Sequence, residues 1–305
     1  MKSFILFITI FVSYSVFAES FPPPMVDDPP PQEEPKLPSN NSGTGPANTV
    51  TGISNILGGF TNPGGGMGGG MGGGTNFGNT PDGSGDFGLK NLRLNGGLTL
   101  TSFDDTNVGS SGHFREYYLS LSGEVTDDDT VTFAVSNTRY ETGSTNGILA
   151  RTNGISFSWI HHLNENYGLG VFGLLNDVDI EETNGNSYSY GYGLLFTTFH
   201  NLKYFNLSSA TAIAHTDFDT GYDQLFMSSL TISKPWTDNF SSYLTLTFTD
   251  SLKSDPDTDP TYGSWEIGGT YLINDNLSLS LGYIRTEFLN NYSDNTLLLN
   301  IGYHF

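Results

Sequence analysis

Along residues 297–305 two kinds of side chain alternate without a break. Leu297, Leu299, Ile301, Tyr303 and Phe305 share one parity, and Leu298, Asn300, Gly302 and His304 share the other. A strand turns successive side chains to opposite faces, so this period demands a sheet with one thoroughly apolar face. The same texture recurs from Gly88 onward, in segments of about ten residues parted by turn signals. Twelve segments can be read: 92–102, 114–125, 130–139, 154–162, 167–176, 187–198, 203–214, 222–232, 240–249, 263–273, 277–285 and the terminal one. Their apolar parity carries rows such as Tyr188, Tyr190, Tyr192, Leu194 and Phe196, or Leu244, Leu246 and Phe248.

The connections repeat a second pattern. Those after even-numbered segments are short, as at 126–129, 163–166 and 274–276. Those after odd-numbered ones run longer, as at 141–151, 177–186 and 251–262. Such alternation fits an even number of antiparallel strands that start and finish on the same side. Aromatic residues gather near both ends of the apolar rows. Trp159, Tyr167, Phe205, Phe240, Tyr271, Tyr303 and Phe305 stand at one end, and Tyr117, Tyr188, Tyr190, Phe248 and Tyr283 at the other. Amphipathic rings favour the headgroup level of a bilayer, so two belts are expected of a membrane-spanning barrel. A soluble β-sandwich would bury these rings in one core and has no use for banding.

No stretch after the amino-terminus approaches the roughly 20 apolar residues of a spanning helix. A chain without such helices crosses a bilayer only as a closed barrel, because open sheet edges go unsatisfied in hydrocarbon. The expected fold class is therefore all-β: a closed antiparallel transmembrane barrel of about twelve strands over residues 88–305. Lys2, the apolar run from Phe4 to Phe17 and the small-x-small triplet Val16-Phe17-Ala18 predict a signal peptide over 1–18. Residues 19–87 are rich in Pro and then in Gly, with the Gly-Met repeat near Met67 and Met71, and predict a disordered arm without a core of its own. Ile53, Ile56, Leu57 and Phe60 form the only apolar cluster there and offer a short plug segment.

The ending resembles the terminal strand of bacterial outer-membrane β-barrel proteins of the porin-like superfamily. These finish on Phe with another aromatic two residues earlier, here Tyr303 and Phe305. The resemblance implies that these two residues are an assembly signal for the barrel-assembly machinery. It also implies an outer-membrane location in a Gram-negative envelope, with the arm in the periplasm. It covers the architecture of residues 88–305 and selects no single functional family. Autotransporter translocators are similar in strand number, but they thread a helix through the pore, and residues 40–87 are too glycine-rich for one.

Charge limits the partners. The formal net charge is −21, which argues against nucleic acid and anionic lipid, partners that need Lys and Arg clusters. The inward parity is mostly Ser, Thr, Gly, Ala and Asn, and its charged members Arg93, Glu116, Glu124 and Glu266 are the candidate lumen-lining residues. Twelve strands fall between roughly 8-stranded barrels filled by side chains and 16-stranded water-filled porins, so a narrow passage is physically reasonable. An acidic lining predicts cation preference. Phe172, Leu174, Leu195, Tyr204, Leu225, Met227, Tyr243, Ile284 and Leu298 are the inward residues able to pinch it.

The expected activity is passive passage of small hydrophilic or cationic solutes. The alternative is a non-conducting structural or surface-interaction barrel using its acidic loops and its arm. Asp217, Asp219 and Asp223 space oxygens like the start of a calcium loop, without the distal Glu. No resident cofactor is expected beyond loosely held divalent cations. Nor is catalysis: barrel phospholipases carry His-x-Ser, which none of the six histidines begins, and His215 with Asp217 or Asp219 is the only candidate for the kind of pair barrel proteases use.

Overall fold

In the computed structural model the described residues are 90–305, apart from 106–109, 143–148, 181–184, 219–220, 256–261 and 289–291. The expected signal peptide and arm lie outside the described residues. Twelve antiparallel strands follow one another: β1 (Lys90–Asp105), β2 (Ser110–Thr126), β3 (Asp129–Thr142), β4 (Leu149–Asn164), β5 (Tyr167–Ile180), β6 (Gly185–Asn201), β7 (Asn206–Phe218), β8 (Gly221–Thr237), β9 (Phe240–Asp255), β10 (Tyr262–Leu272), β11 (Leu277–Phe288) and β12 (Tyr292–His304). Each pairs with its neighbours in sequence, and β12 pairs back onto β1 to close the barrel.

Closure runs along the terminal alternation. Tyr303 stands opposite Leu94, Leu299 opposite Leu98 and Leu297 opposite Leu100. The Phe305 N–H donates to the Leu92 carbonyl at 3.0 Å, so the seam is bonded to the last residue. Asn276 reinforces it from β11's side: its carbonyl accepts from the His304 N–H at 2.8 Å, and its Nδ2 donates to the His304 carbonyl at 2.6 Å. With every strand paired on both sides, no edge is left to be satisfied by water.

The ladders are staggered. A row of direct partners that begins at Arg93, near the start of β1, passes through Ser122, Thr132, Ser158, Phe172, Gly193, Ala214 and Leu225. It reaches Ser251 near the far end of β9. Such a climb is the shear that tilted strands need to close on themselves. The rim where β1 starts and β12 ends is called here the turn rim, and the opposite one the loop rim.

The outer wall is apolar and open to its surroundings. Leu194, Ile213, Leu246, Leu281, Leu297 and Ile301 are each more than half exposed, except Leu246 at 50%. So broad an exposed apolar band would be an aggregation hazard in water and is the proper face toward hydrocarbon. Trp159, Tyr167, Phe240, Tyr271, Tyr303 and Phe305 ring its turn-rim edge, and Tyr117, Tyr188 and Tyr190 stand at the other.

Several expectations are corrected. β7 starts at Asn206, because Asn201 pairs with Asn206 and residues 202–205 form the turn, closed by the Leu202 N–H on the Phe205 carbonyl at 3.0 Å. Tyr204 is therefore 69% exposed on that turn and does not enter the lumen, and Phe205 precedes the strand instead of ending a lipid-facing row. Most strands also run further toward the loop rim than their apolar alternation does, with β9 reaching Asp255 and β4 beginning at Leu149. The loops on that side are correspondingly shorter, since backbone pairing continues where the side chains have turned polar.

Candidate functional site: the barrel interior

The interior has two unlike halves. From β3 to β8 the inward side chains include a buried apolar cluster of Ala134, Ile160, Phe172, Leu174, Leu195, Ala210, Ala212, Ala214, Leu225 and Met227. From β9 round through β12 to β2 the wall is mostly polar, with buried Thr245, Thr270, Ser280, Thr296, Asn300, Asn95, Thr99 and Ser120, interrupted by buried Tyr243, Leu298, Phe103 and Tyr118. Cross-strand hydroxyl pairs knit this half: Thr101 with Thr296 at 2.7 Å, Thr231 with Thr245 at 2.7 Å and Thr270 with Ser280 at 2.9 Å. Each pair sits at directly opposed register positions, so each oxygen finds its partner without reaching into the lumen.

Bulky inward rings are laid along the wall. Tyr118 stands opposite Gly97, Tyr243 opposite Gly268 and Phe172 opposite Gly193. A methyl group at Gly97 would overlap the Tyr118 ring, and one at Gly193 would come within 2.6 Å of the Phe172 ring. Glycine on the neighbouring strand thus provides the space into which each ring folds sideways. Phe172 and Tyr243, expected to obstruct the passage, lie over glycines instead. Tyr118, Phe103 and Ile160 are inward and buried as well; they escaped sequence reading because a lone bulky residue among serines gives no sign of which strand it will cover.

The four candidate lining residues all take inward parity but split into two levels. Arg93 and Glu124 belong to the turn rim. Asn91 adopts a positive φ of 49° at the irregularity between Lys90 and Arg93, and its amide donates to Glu124 at 2.7 Å. Asn tolerates this left-handed backbone better than most residues. Arg93 pairs in register with His304 and Ser122, and it lines a mouth cavity of about 300 Å3 together with Asn95, Thr270, Ser278, Gly302 and His304. Glu116 and Glu266 lie deeper in the polar half. Glu116 is buried opposite Thr99 and Thr138. Glu266 accepts a hydrogen bond from the Tyr243 hydroxyl at 2.6 Å.

The acidic triplet does not converge. Asp217 and Asp223 fall on opposite parities of paired strands: Thr216 is the direct partner of Asp223, and Asp217 that of Tyr222. Asp223 turns inward and is buried, whereas Asp217 turns outward and meets His215 Nε2 at 2.9 Å. Two carboxylates separated by the wall cannot share one ion, and Asp219 lies outside the described residues. Among the described residues there is no grouping of three or more metal-ligating side chains. His215 and Asp217 do come together, packed between the rings of Tyr192 and Tyr222 at 5.4 and 5.6 Å. Tyr303 and Phe305, expected to be the assembly signal, stack edge to face at 4.9 Å on the outer wall.

A closed antiparallel barrel with an apolar outer band, aromatic belts and a small-residue interior is a transmembrane barrel. No protein-family model and no curated protein matches the chain. Solved structures do. The β domain of the Bordetella autotransporter BrkA is similar at 10% identity, covering 71% of this chain and 100% of that one, with a TM-score of 0.55. An outer-membrane channel from Pseudomonas putida F1 is similar at 13% identity, covering 74% and 100%, with a TM-score of 0.54. The translocator domain of the autotransporter NalP from Neisseria meningitidis is similar at 14% identity, covering 72% and 90%, with a TM-score of 0.51. The chain has the fold of the bacterial outer-membrane β-barrels. In barrels of that class short turns lie in the periplasm and longer loops face outward.

Proposed function

We propose that this barrel is a narrow passive channel for small hydrophilic solutes, with a preference for cations. The carrying observation is the laying of Tyr118, Phe172 and Tyr243 over the facing glycines Gly97, Gly193 and Gly268. A barrel built only to be filled would gain more from rings that project and interlock across the interior. The path runs down the polar half, past Glu116 and Glu266, and opens into the mouth cavity beside Arg93. Carboxylates on that path favour cations as charged rings do in other pores. Residues 1–18 act as a cleaved export signal and residues 19–87 as a periplasmic arm.

The non-conducting reading draws on the other half, where Leu225 and Met227 are wholly buried and Ile160 and Leu195 nearly so. Inward aliphatic residues beside a wide water column would be wet. In the channel reading this cluster narrows the bore to one side; in the alternative it belongs to a filled interior, and the acidic loops and arm carry the activity.

Single-channel recording of the refolded chain distinguishes the two, with and without residues 19–87. Ohmic steps with a cation-selective reversal potential, reduced in the E116Q/E266Q variant, are the expected result. Silence from both chains overturns the channel. Steps only after truncation assign the arm as a plug.

A further inference from the structure

Three of the barrel's arginines stand side by side on its outer wall. From Gly88 onward nine Lys and Arg stand against 25 Asp and Glu, and only five of the nine are Arg. Arg115, Arg139 and Arg151 occupy consecutive strands β2, β3 and β4 as direct partners: Arg115 opposite Arg139, and Arg139 opposite Arg151. All three are on the outward parity and exposed. Like charges placed directly opposite destabilise a sheet unless an anion sits between them.

Their depth is fixed by the rows beneath. On β3 and β4 the apolar band ends at the exposed pair Val135 and Ile155. Next toward the loop rim comes Asn137 opposite Asn153, joined by a 2.8 Å amide hydrogen bond, and next the Arg139–Arg151 pair. The guanidinium ladder thus stands one polar pair above hydrocarbon, at the headgroup level. Across the barrel the same level is acidic: His215 and Asp217 follow Ile213 on β7, and Asp250 follows Phe248 on β9.

Acids stand beside two of the three arginines. Glu141 holds Arg139 at 3.0 Å and lies 3.3 Å from His113, and Asp179 is the register partner of Arg151. Among the described residues Arg115 has no hydrogen-bond or ion-pair partner. Beside Arg115 the outer wall dips over Ser102, which stands between His113 and Asn295. The groove, of about 440 Å3, has Leu100 and Leu297 on its floor and Tyr283 on its wall. Tyr283 and Arg285 both donate to Asn295 Oδ1, at 2.6 and 3.0 Å, which stiffens that wall.

We infer that this face binds a phosphorylated glycolipid of the outer leaflet, with its phosphates on Arg115, Arg139 and Arg151 and an acyl chain in the Ser102 groove. Planar guanidinium forks suit phosphate oxygens, and an apolar groove adjoining them at headgroup depth selects a lipid over free phosphate. The inference rests on the membrane-spanning fold and stands whether or not the lumen conducts.

The test is native mass spectrometry of the full chain refolded in detergent, with bisphosphorylated lipid A as the probe and EDTA present to remove bridging cations. Folding of each variant is checked first by heat-modifiable migration. The expected result is retention of the probe by the unaltered protein, with about tenfold weaker retention of dephosphorylated lipid A. A similar loss is expected in R115Q/R139Q/R151Q, and none in K203Q, a turn-rim change that removes one charge as R115Q does. Equal retention of both lipid forms, or full retention by the triple variant, overturns the inference. Should the triple variant fail to fold, R115Q alone decides: a several-fold loss supports the site and no loss refutes it.

Discussion

The Tyr243 hydroxyl donates to the Glu266 carboxylate at 2.6 Å while the tyrosine ring lies across Gly268, its register partner on the strand that carries Glu266. One side chain thereby does two things: it clears the bore by folding sideways and it holds a lumen carboxylate against the wall. The bond is short and charge-assisted, of a kind that contributes about 1.5–3 kcal/mol when its donor is removed. Y243F is expected to lower the urea unfolding free energy of the refolded barrel by an amount in that range, seen as a lower midpoint at unchanged m-value. E266Q retains an acceptor oxygen and should cost less. If Y243F unfolds at the same urea concentration as the parent, the bond is not a structural one.

The glycine positions can be tested by crowding and relief. The three atoms nearest to a Cβ at Gly97 all belong to the Tyr118 ring and its hydroxyl, so G97A must push that ring off the wall. Overpacking of this kind costs about 1–3 kcal/mol, and a ring displaced inward narrows the bore. G97A is expected to be less stable and to carry a smaller unit conductance, and G97A/Y118A should recover the conductance. Were G97A to leave conductance and stability alone, the ring would have another place to go.

Charge selectivity separates the two levels of lining residues. Glu116 and Glu266 lie along the polar half, whereas Arg93 and Glu124 share the turn-rim mouth, where opposite signs offset one another. E116Q/E266Q is expected to move the reversal potential in a salt gradient toward zero. R93Q should change single-channel current more than selectivity, because it alters the mouth cavity. A reversal potential untouched by E116Q/E266Q would place the filter elsewhere.

Period-two alternation made the architecture readable before any coordinates, since in a barrel every strand shows one face to lipid and one to the interior. Parity alone assigned Asn300, His304, Glu116 and Glu266 inward, and the structure places them there. The failures have a common origin in register. Tyr204 kept the parity of a lumen residue, yet the Asn201–Asn206 pairing put it in a turn. Asp217 and Asp223 looked like neighbours in a loop, yet the tight β7–β8 connection sets them on opposite faces. The ring-over-glycine contacts and the Arg115–Arg139–Arg151 ladder likewise join residues about 12 to 24 or more positions apart, and only the stagger of the closed sheet brings them together.

The terminal strand offers a separation of folding from assembly. Phe305 contributes a backbone N–H to the Leu92 carbonyl and a ring that packs on Tyr303 at 4.9 Å. F305A keeps the first and loses the second, a contact worth about 0.5–1.5 kcal/mol beyond its area. Deleting Tyr303, His304 and Phe305 loses both, together with the two Asn276 bonds to His304 and the Leu94–Tyr303 pairing. In detergent, F305A is expected to refold to nearly the parental yield, and the deletion to a clearly lower one, read by the heat-modifiable band. If the aromatic ending is the assembly signal its resemblance implies, F305A should fall toward the deletion in the amount of membrane-inserted barrel in cells. The gap between the two settings is the measure of the signal. If F305A inserts in cells as well as it refolds in detergent, the ring serves the seam alone; if it already fails in detergent, the closure of β12 on β1 depends on that ring and not on the backbone ladder.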